Sequence, residues 1–425
     1  MTLQVKPKNM DKYRWLALLA GTLLLGTCSW AMTWSLMVDP MIELRGASVQ
    51  SMATVYTLLT VTSAIFTILG GKLVDKWGSS KVLLTGIIAF AIAQAICYVS
   101  SSFMAFAIAN VLFCAWQQSV VYIGVMNTVE HMFPDFRGLA VSVAATGISV
   151  VGMVLAPMTQ RAIDVFGFQS MFLVTGGVLT VIGLVTLFLF PNVSADYAPK
   201  NMKPGADEEE IPGNLKLNPN FVQKDWKAMF KDPAFYLLFL MPLGGSSGYM
   251  LLSYQLAYIA QDILNISAME ASFLVSGVSL MGIITLVTGP IGDKIGRMKV
   301  ASVLLLFGTI SISGLIVSES HDIIWFAVCA FVYAFCLGGF AGLHPAIVGD
   351  IFGSDNFGFN YSICYMSVLL AAAISPWLAV IGNSGENASY STTFIVCAVL
   401  CGAAFIISLI LLKLKGKNTE YIITK

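Results

Sequence analysis

The chain has 425 residues, 57% of them hydrophobic and only 11% charged, with 23 basic and 23 acidic residues and no formal net charge. A soluble domain covers its surface with about 25% charged residues, so this composition excludes an ordinary soluble globule, and the neutral balance points to no nucleic acid and no acidic partner. The apolar residues stand in unbroken blocks of roughly twenty, the length that crosses the hydrocarbon slab as a helix, and lack the alternation of a membrane β-barrel.

The first block, Trp15 to Val38, is too long for a signal-peptide core and carries no clear cleavage site, so it reads as a retained first span. Further spans are predicted at 49–70, 82–100, 103–128, 139–160 and 169–190. The stretch 191–232 follows, rich in Pro, Asn, Lys and acidic residues (Asp207-Glu208-Glu209-Glu210), and reads as a solvated linker. Six more spans are predicted at 234–258, 268–290, 300–318, 323–348, 357–382 and 391–412. The expectation is an all-α membrane protein with twelve transmembrane helices in two six-helix bundles, 1–190 and 233–425, joined by a cytoplasmic linker.

Orientation follows from lysine and arginine, which favour the cytoplasmic side. With the N-terminus inside, 21 of the 23 basic residues fall in the N-tail, the 2–3, 4–5 and 8–9 loops, the linker and the C-tail, and only Arg45 and Arg161 fall outside. Both termini are therefore expected in the cytoplasm. The eight cysteines all lie inside apolar blocks, with no spacing that suggests a metal site or a disulfide. No metal and no cofactor is expected. No paired carboxylates and no nucleophile–base set lie inside the spans, so enzyme chemistry is not expected either.

The two halves repeat. Gly71-Lys-Leu-Val-Asp75-Lys-Trp-Gly78-Ser-Ser-Lys81 follows span two, and Gly289-Pro-Ile-Gly-Asp293-Lys-Ile-Gly296-Arg297-Met-Lys299 follows span eight, 218 positions on throughout. A weaker match joins Phe133…Gly138 to Phe352…Gly358. The glycines permit a tight turn and close helix approach. The carboxylate suits the positive end of a neighbouring helix, a contact that can break and re-form. Gly71, Asp75, Gly78, Asp293, Gly296 and Arg297 are thus candidate gate residues.

This paired motif and the twelve-helix plan resemble the major facilitator superfamily over essentially the whole chain. Within it, Asn127-Thr-Val-Glu-His-Met-Phe-Pro-Asp-Phe-Arg137-Gly-Leu-Ala140 and Trp226-Lys-Ala-Met-Phe-Lys-Asp-Pro-Ala-Phe-Tyr-Leu-Leu resemble the oxalate/formate antiporter group, which is related to the monocarboxylate transporters. The resemblance implies a secondary transporter working by alternating access, with Arg137 joining Asp75 and Asp293 at the cytoplasmic gate. It implies residence in the plasma (inner) membrane, and a monomer is expected. Gly147-x4-Gly152-x4-Pro157 resembles the superfamily's bending motif in span five. The chain departs from the group at its cation positions, where Thr285 and Val368 stand in place of arginine and lysine.

The substrate candidates are accordingly polar but uncharged. Span four carries Asn110, Gln117, Gln118 and Tyr122 on one helical face, where amides need partners in hydrocarbon. His344 in span ten is the one ionisable residue, apart from Cys and Tyr, well inside a span, and such a group is a functional candidate by default. It is suited to a substrate carboxylate or a proton. Trp34, Tyr254, Tyr333 and Tyr365 complete the expected binding set, with Trp30 and Tyr361 as further cavity candidates. The expected substrate is a small monocarboxylate-type organic anion, exchanged or carried with protons. The alternatives are a neutral or weakly charged solute (an amino acid, a nucleoside or a protonated weak acid), or a sensor on the same fold that does not transport.

Overall fold

A computed structural model describes residues 10–133, 137–191, 215–217, 222–320, 323–353, 357–382, 390–415 and 421–423. Sixteen helices carry the fold among these residues: α1 (Met10–Gly26), α2 (Trp34–Arg45), α3 (Val49–Trp77), α4 (Ser79–Val99), α5 (Phe103–Ile108), α6 (Ala115–Met132), α7 (Arg137–Phe166), α8 (Phe168–Leu189), α9 (Trp226–Lys231), α10 (Pro233–Leu264), α11 (Ala268–Met281), α12 (Thr285–Ile295), α13 (Arg297–Gly314), α14 (Ile323–Phe352), α15 (Phe357–Gly382) and α16 (Ser391–Lys415). Eleven described stretches are long and apolar enough to cross a bilayer, and a shorter apolar stretch, Ile363–Leu378, lies within α15. The only strands among the described residues are the three-residue β1 (Leu215–Leu217) and β2 (Tyr421–Ile423), paired antiparallel with Lys216 opposite Ile422.

Two of the first six spans are not plain α-helix. Between α1 and α2 the chain tightens to a 3₁₀ turn over Thr27–Thr33. There the Thr27 and Thr33 hydroxyls donate to carbonyls three residues back, at 2.8 and 2.7 Å, so side chains compete with the main-chain ladder. Between α5 and α6 the chain widens to a π-helix over Ala109–Cys114. The Asn110 amide takes the Phe106 carbonyl at 3.0 Å, the acceptor that an α-helix reserves for the Asn110 main chain. Such bulges recur at functional sites.

The paired motif is built alike in both copies. Helices α3 and α12 run through their Gly-x3-Asp segments, so Gly71 and Asp75 lie on the last turns of α3 and Asp293 near the end of α12, not in a loop. Only Gly78 and Gly296 sit at the junctions, with φ of 82° and 105°, a backbone conformation that favours glycine. A further repeat, absent from the sequence reading, stands 219 positions apart. Gly46 and Asn265 both adopt positive φ, 62° and 51°. Ser48 then exchanges hydrogen bonds with Ser51 (3.1 and 2.8 Å), as Ser267 does with Glu270 (3.3 and 2.8 Å). Both pairs are reciprocal caps that start the next helix.

The chain forms two compact units. One comprises Met1–Glu208 with Tyr254–Gln261 and Ile266–Leu280, and the other Glu209–Ser253, Asp262–Asn265 and Met281–Lys425. In the first unit, aromatic and aliphatic side chains of α2, α3, α4, α7 and α8 gather around Trp30 and Trp34, and Tyr258 packs on that core. Helices α1 and α7 meet backbone to backbone at Gly147, where the space for a Cβ is taken by the Thr22 carbonyl oxygen, 1.8 Å away. Gly152, one and a half turns on, faces Met32, Ser29 and Ser279 within 3.5 Å of its own would-be Cβ. Gly147 and Gly152 thus act as close-packing points in a continuous α7 that also contains Pro157. In the second unit, Gly244 and Gly248 of α10 do the same against Leu400 and Tyr333.

Candidate functional site

In the first unit, buried polar groups concentrate around the 3₁₀ turn. Gln117, from α6, is buried and donates to Thr27 Oγ1 at 3.0 Å and to Cys28 Sγ at 3.9 Å. This ties span four to span one. Trp34 is 1% exposed, held between Tyr56 (5.3 Å between ring centres) and Phe106 (5.5 Å). Trp30 sits edge-on to Phe90 and tilted on Phe172. The indole nitrogens of both tryptophans, the Ser29 and Ser35 hydroxyls, Gln94 Oε1 and Asn110 Oδ1 are buried without a hydrogen-bond partner. An orphaned buried donor or acceptor costs about 1–3 kcal/mol, so this concentration is costly unless a solute or water meets it. Gln118 and Tyr122 are half-buried. A surface groove of about 530 Å³ in the same unit, lined by residues such as Phe66, Ile88, Phe113 and Trp116, is almost wholly apolar and takes in none of these groups.

In the second unit the site centres on His344. The residue is 2% exposed, and neither ring nitrogen has a hydrogen-bond partner. The Leu238 main-chain oxygen of α10 approaches the imidazole outside hydrogen-bonding geometry. Aromatic rings flank it: Phe340 at 6.2 Å, one turn back on α14, and Tyr361 of α15 at 5.8 Å. Tyr365, one turn further, lies 5.7 Å from Tyr361 at an interplanar angle of 38°. Both tyrosines are half-buried, in a helix that carries no charged residue. The spacing i, i+4 on both helices stacks these rings as a ladder.

Other predicted binders are placed differently. Tyr333 is fully buried and donates to the Gly245 carbonyl at 3.3 Å, wedged beside Gly248 and Cys397. It thus serves the contact of α14 with α10 and is left out of the site assembled around His344. The side chain of Tyr254 lies outside the described residues, as do those of Asp75, Arg137, Asp293 and Thr285. Of the charged gate residues, Arg297 is the one whose side chain is described. Its guanidinium donates to Asp350 Oδ1 at 2.6 Å and joins the start of α13 to the end of α14.

Two anchors beside this site were not read from the sequence. Asp350 is one. Lys224 is the other: its main-chain N–H donates to the Phe352 carbonyl at 3.0 Å, and its own carbonyl accepts from the Asn360 amide at 2.9 Å. Its ammonium pairs with Asp232 and lies 5.5 Å over the Phe352 ring. The segment before α10 is thereby fastened to the facing ends of α14 and α15, next to Tyr361. The only signal in the sequence was the Asn360-Tyr361 pair.

Apolar helices of spanning length and glycine junctions repeated in the two halves define a polytopic membrane protein. The chain belongs to the Major Facilitator Superfamily, whose family model matches residues 19–259 and 244–423. It is 24% identical over 428 residues to the oxalate:formate antiporter of Oxalobacter formigenes, covering 96% of this chain and 93% of that protein. It is 21% identical over 356 residues to the riboflavin transporter RibZ of Clostridioides difficile (strain 630), covering 73% and 74%. Monocarboxylate transporter 11 of Homo sapiens is 25% identical over 144 residues, 34% of this chain and 29% of that one.

Proposed function

We propose that the protein is a secondary transporter that moves a small organic solute of the monocarboxylate type by alternating access, and that it holds this solute by hydrogen bonds and ring contacts instead of an ion pair. The observation that carries the proposal is His344, an imidazole 2% exposed with both nitrogens unpartnered and flanked by Phe340 and Tyr361. A buried ionised carboxylate requires a paired charge or several donors, and the span cores predicted from the sequence hold no lysine or arginine for it. Uptake of the acid together with its proton, or uniport of the neutral form, fits such a site. Exchange of one acid for another is the second mode, supported by likeness to the oxalate:formate antiporter. A neutral solute is the second reading, supported by the same uncharged lining and by likeness to the riboflavin transporter.

In this proposal His344, Tyr361 and Tyr365 contact the solute, and Gln117 holds span four to span one. Asp75, Arg137 and Asp293 form the cytoplasmic latch, with Arg297 paired to Asp350. The halves 1–190 and 233–425 act as the moving bodies, both termini face the cytoplasm, and the protein works as a monomer in the plasma (inner) membrane. Reconstituted vesicles tested with a panel of organic acids and neutral solutes, with and without an inward proton gradient, decide the matter. Proton-stimulated uptake of monocarboxylates above that of protein-free vesicles is expected. A protein that moves only dicarboxylates, indifferent to the gradient, would overturn it.

A further inference from the structure

We infer that the solute is planar and aromatic, with its ring lying on the Tyr361–Tyr365 face and its polar group at His344. The inference rests on the proposed transport function and narrows its substrate class. Four rings, Phe340, His344, Tyr361 and Tyr365, follow one another at centre distances of 6.2, 5.8 and 5.7 Å with interplanar angles of 42°, 52° and 38°. These are the separations at which aromatic pairs attract, so a further flat ring finds a surface already set to its spacing.

The ladder differs from ordinary core packing in two ways. Four aromatics of the first unit's core, Trp34, Tyr56, Phe106 and Phe172, are at most 1% exposed. Tyr361 and Tyr365, in about the first third of the charge-free helix α15, keep part of their surface open. The polar end of the ladder is also unfinished, because both ring nitrogens of His344 are buried without a hydrogen-bond partner. A flat ring bearing a carboxylic acid, amide or ring nitrogen satisfies both ends at once, the ring on the tyrosines and the polar group on the imidazole. A short aliphatic acid satisfies only the second.

The ladder is also held in place. Asn360, the residue before Tyr361, is buried and donates its amide to the Lys224 carbonyl at 2.9 Å. Lys224 is itself bonded to the Phe352 carbonyl at the end of α14. The ends of the two helices that carry the rings are thus tied through one residue, so the ring spacing exists before any solute arrives. Preorganisation of this kind lowers the cost of binding.

The test compares 4-hydroxybenzoate with its saturated counterpart 4-hydroxycyclohexanecarboxylate, which matches it in charge and polar groups but cannot stack. Binding of each to the full chain in detergent is measured by calorimetry. The aromatic acid should bind about three- to tenfold more tightly, the range that ring stacking supplies. Tyr365→Phe should keep that ratio, and Tyr365→Leu should bring it close to one. Equal affinity of the wild-type protein for the two acids overturns the inference and leaves the transport proposal standing. Binding of neither, beside uptake of aliphatic acids in the vesicle panel, overturns the inference alone. Failure of every organic acid in both assays overturns both.

Discussion

The contact of α1 with α7 offers the sharpest test of how the first unit is held together. A Cβ added at Gly147 would stand 1.8 Å from the Thr22 carbonyl oxygen, 2.7 Å from its carbon and 3.2 Å from its Cα, whereas a real Cβ essentially never comes closer than 3.0 Å to a neighbour. The obstacle is backbone and cannot rotate away, so Gly147→Ala must push the helices apart by about 1.2 Å, the difference between those two distances. A gap of 0.5–1 Å already forfeits roughly a quarter to a half of the dispersion energy across a contact, and overpacking adds about 1–3 kcal/mol. Close backbone approach through small residues is what drives helix association where the hydrophobic effect is absent. Purified Gly147→Ala should therefore unfold roughly 5 °C or more below the wild type in a detergent melt. Gly177→Ala, whose Cβ meets nothing within 4 Å, serves as the control and should match or exceed the wild type, because alanine is the better helix former. A Gly147→Ala protein that melts with the wild type would refute the backbone contact.

Replacing His344 by leucine removes two unpartnered buried nitrogens, so the melt should hold or rise while uptake falls at least about tenfold; a fall in stability with normal uptake per folded molecule would make the histidine structural. The Arg297–Asp350 pair retains only 20% and 17% side-chain exposure, so removing one partner should cost about 1–3 kcal/mol, more than an exposed pair and less than a fully buried one. Asp350→Ala should also slow transport, and the reversed pair Arg297→Asp with Asp350→Arg should recover it; an Asp350→Ala protein at the wild-type rate removes this pair from the gate. Asn360→Ala deletes the amide bonded to the Lys224 carbonyl, a loss of about 1 kcal/mol. Tryptic cleavage at Lys224 should accelerate, and an unchanged digestion pattern would show that the segment is held elsewhere.

The architecture was largely legible because bilayer length and the 218-residue repeat are properties of composition and spacing. Helix ends were less so. The Gly71-to-Lys81 motif reads as a loop by its charges, yet α3 continues to Trp77 and the turn is confined to Gly78. An α-helix tolerates Lys72, Asp75 and Lys76 once they leave the apolar slab, so charge marks the membrane boundary and not the helix boundary. The second repeat escaped notice because Gly46 and Asn265 share no identity. They share only tolerance of positive φ, and Ser51 and Glu270 share only the ability to accept from a cap.

Of the binding set, residue type identified what is buried and polar but not what that polarity does. Gln117 and Tyr333 were chosen for their donors, and in the fold those donors reach Thr27 and Gly245. Both amides and phenols satisfy themselves on backbone or hydroxyl neighbours when helices pass closely, as they do at Gly248. The imidazole of His344 has no such neighbour in bonding geometry, a fact no spacing rule contains, since it depends on what α10 and α15 present to α14. The cost of leaving it open, about 1–3 kcal/mol for each unmet group, is small beside that of a buried lysine or arginine with no partner. A site that must stand empty during part of a transport cycle is better served by a neutral ring than by a fixed cation. The consequence falls on the solute. If the solute is the organic acid proposed above, a span core without a fixed cation favours its neutral form, so in that proposal the proton travels on the solute and the site needs no dedicated carboxylate relay.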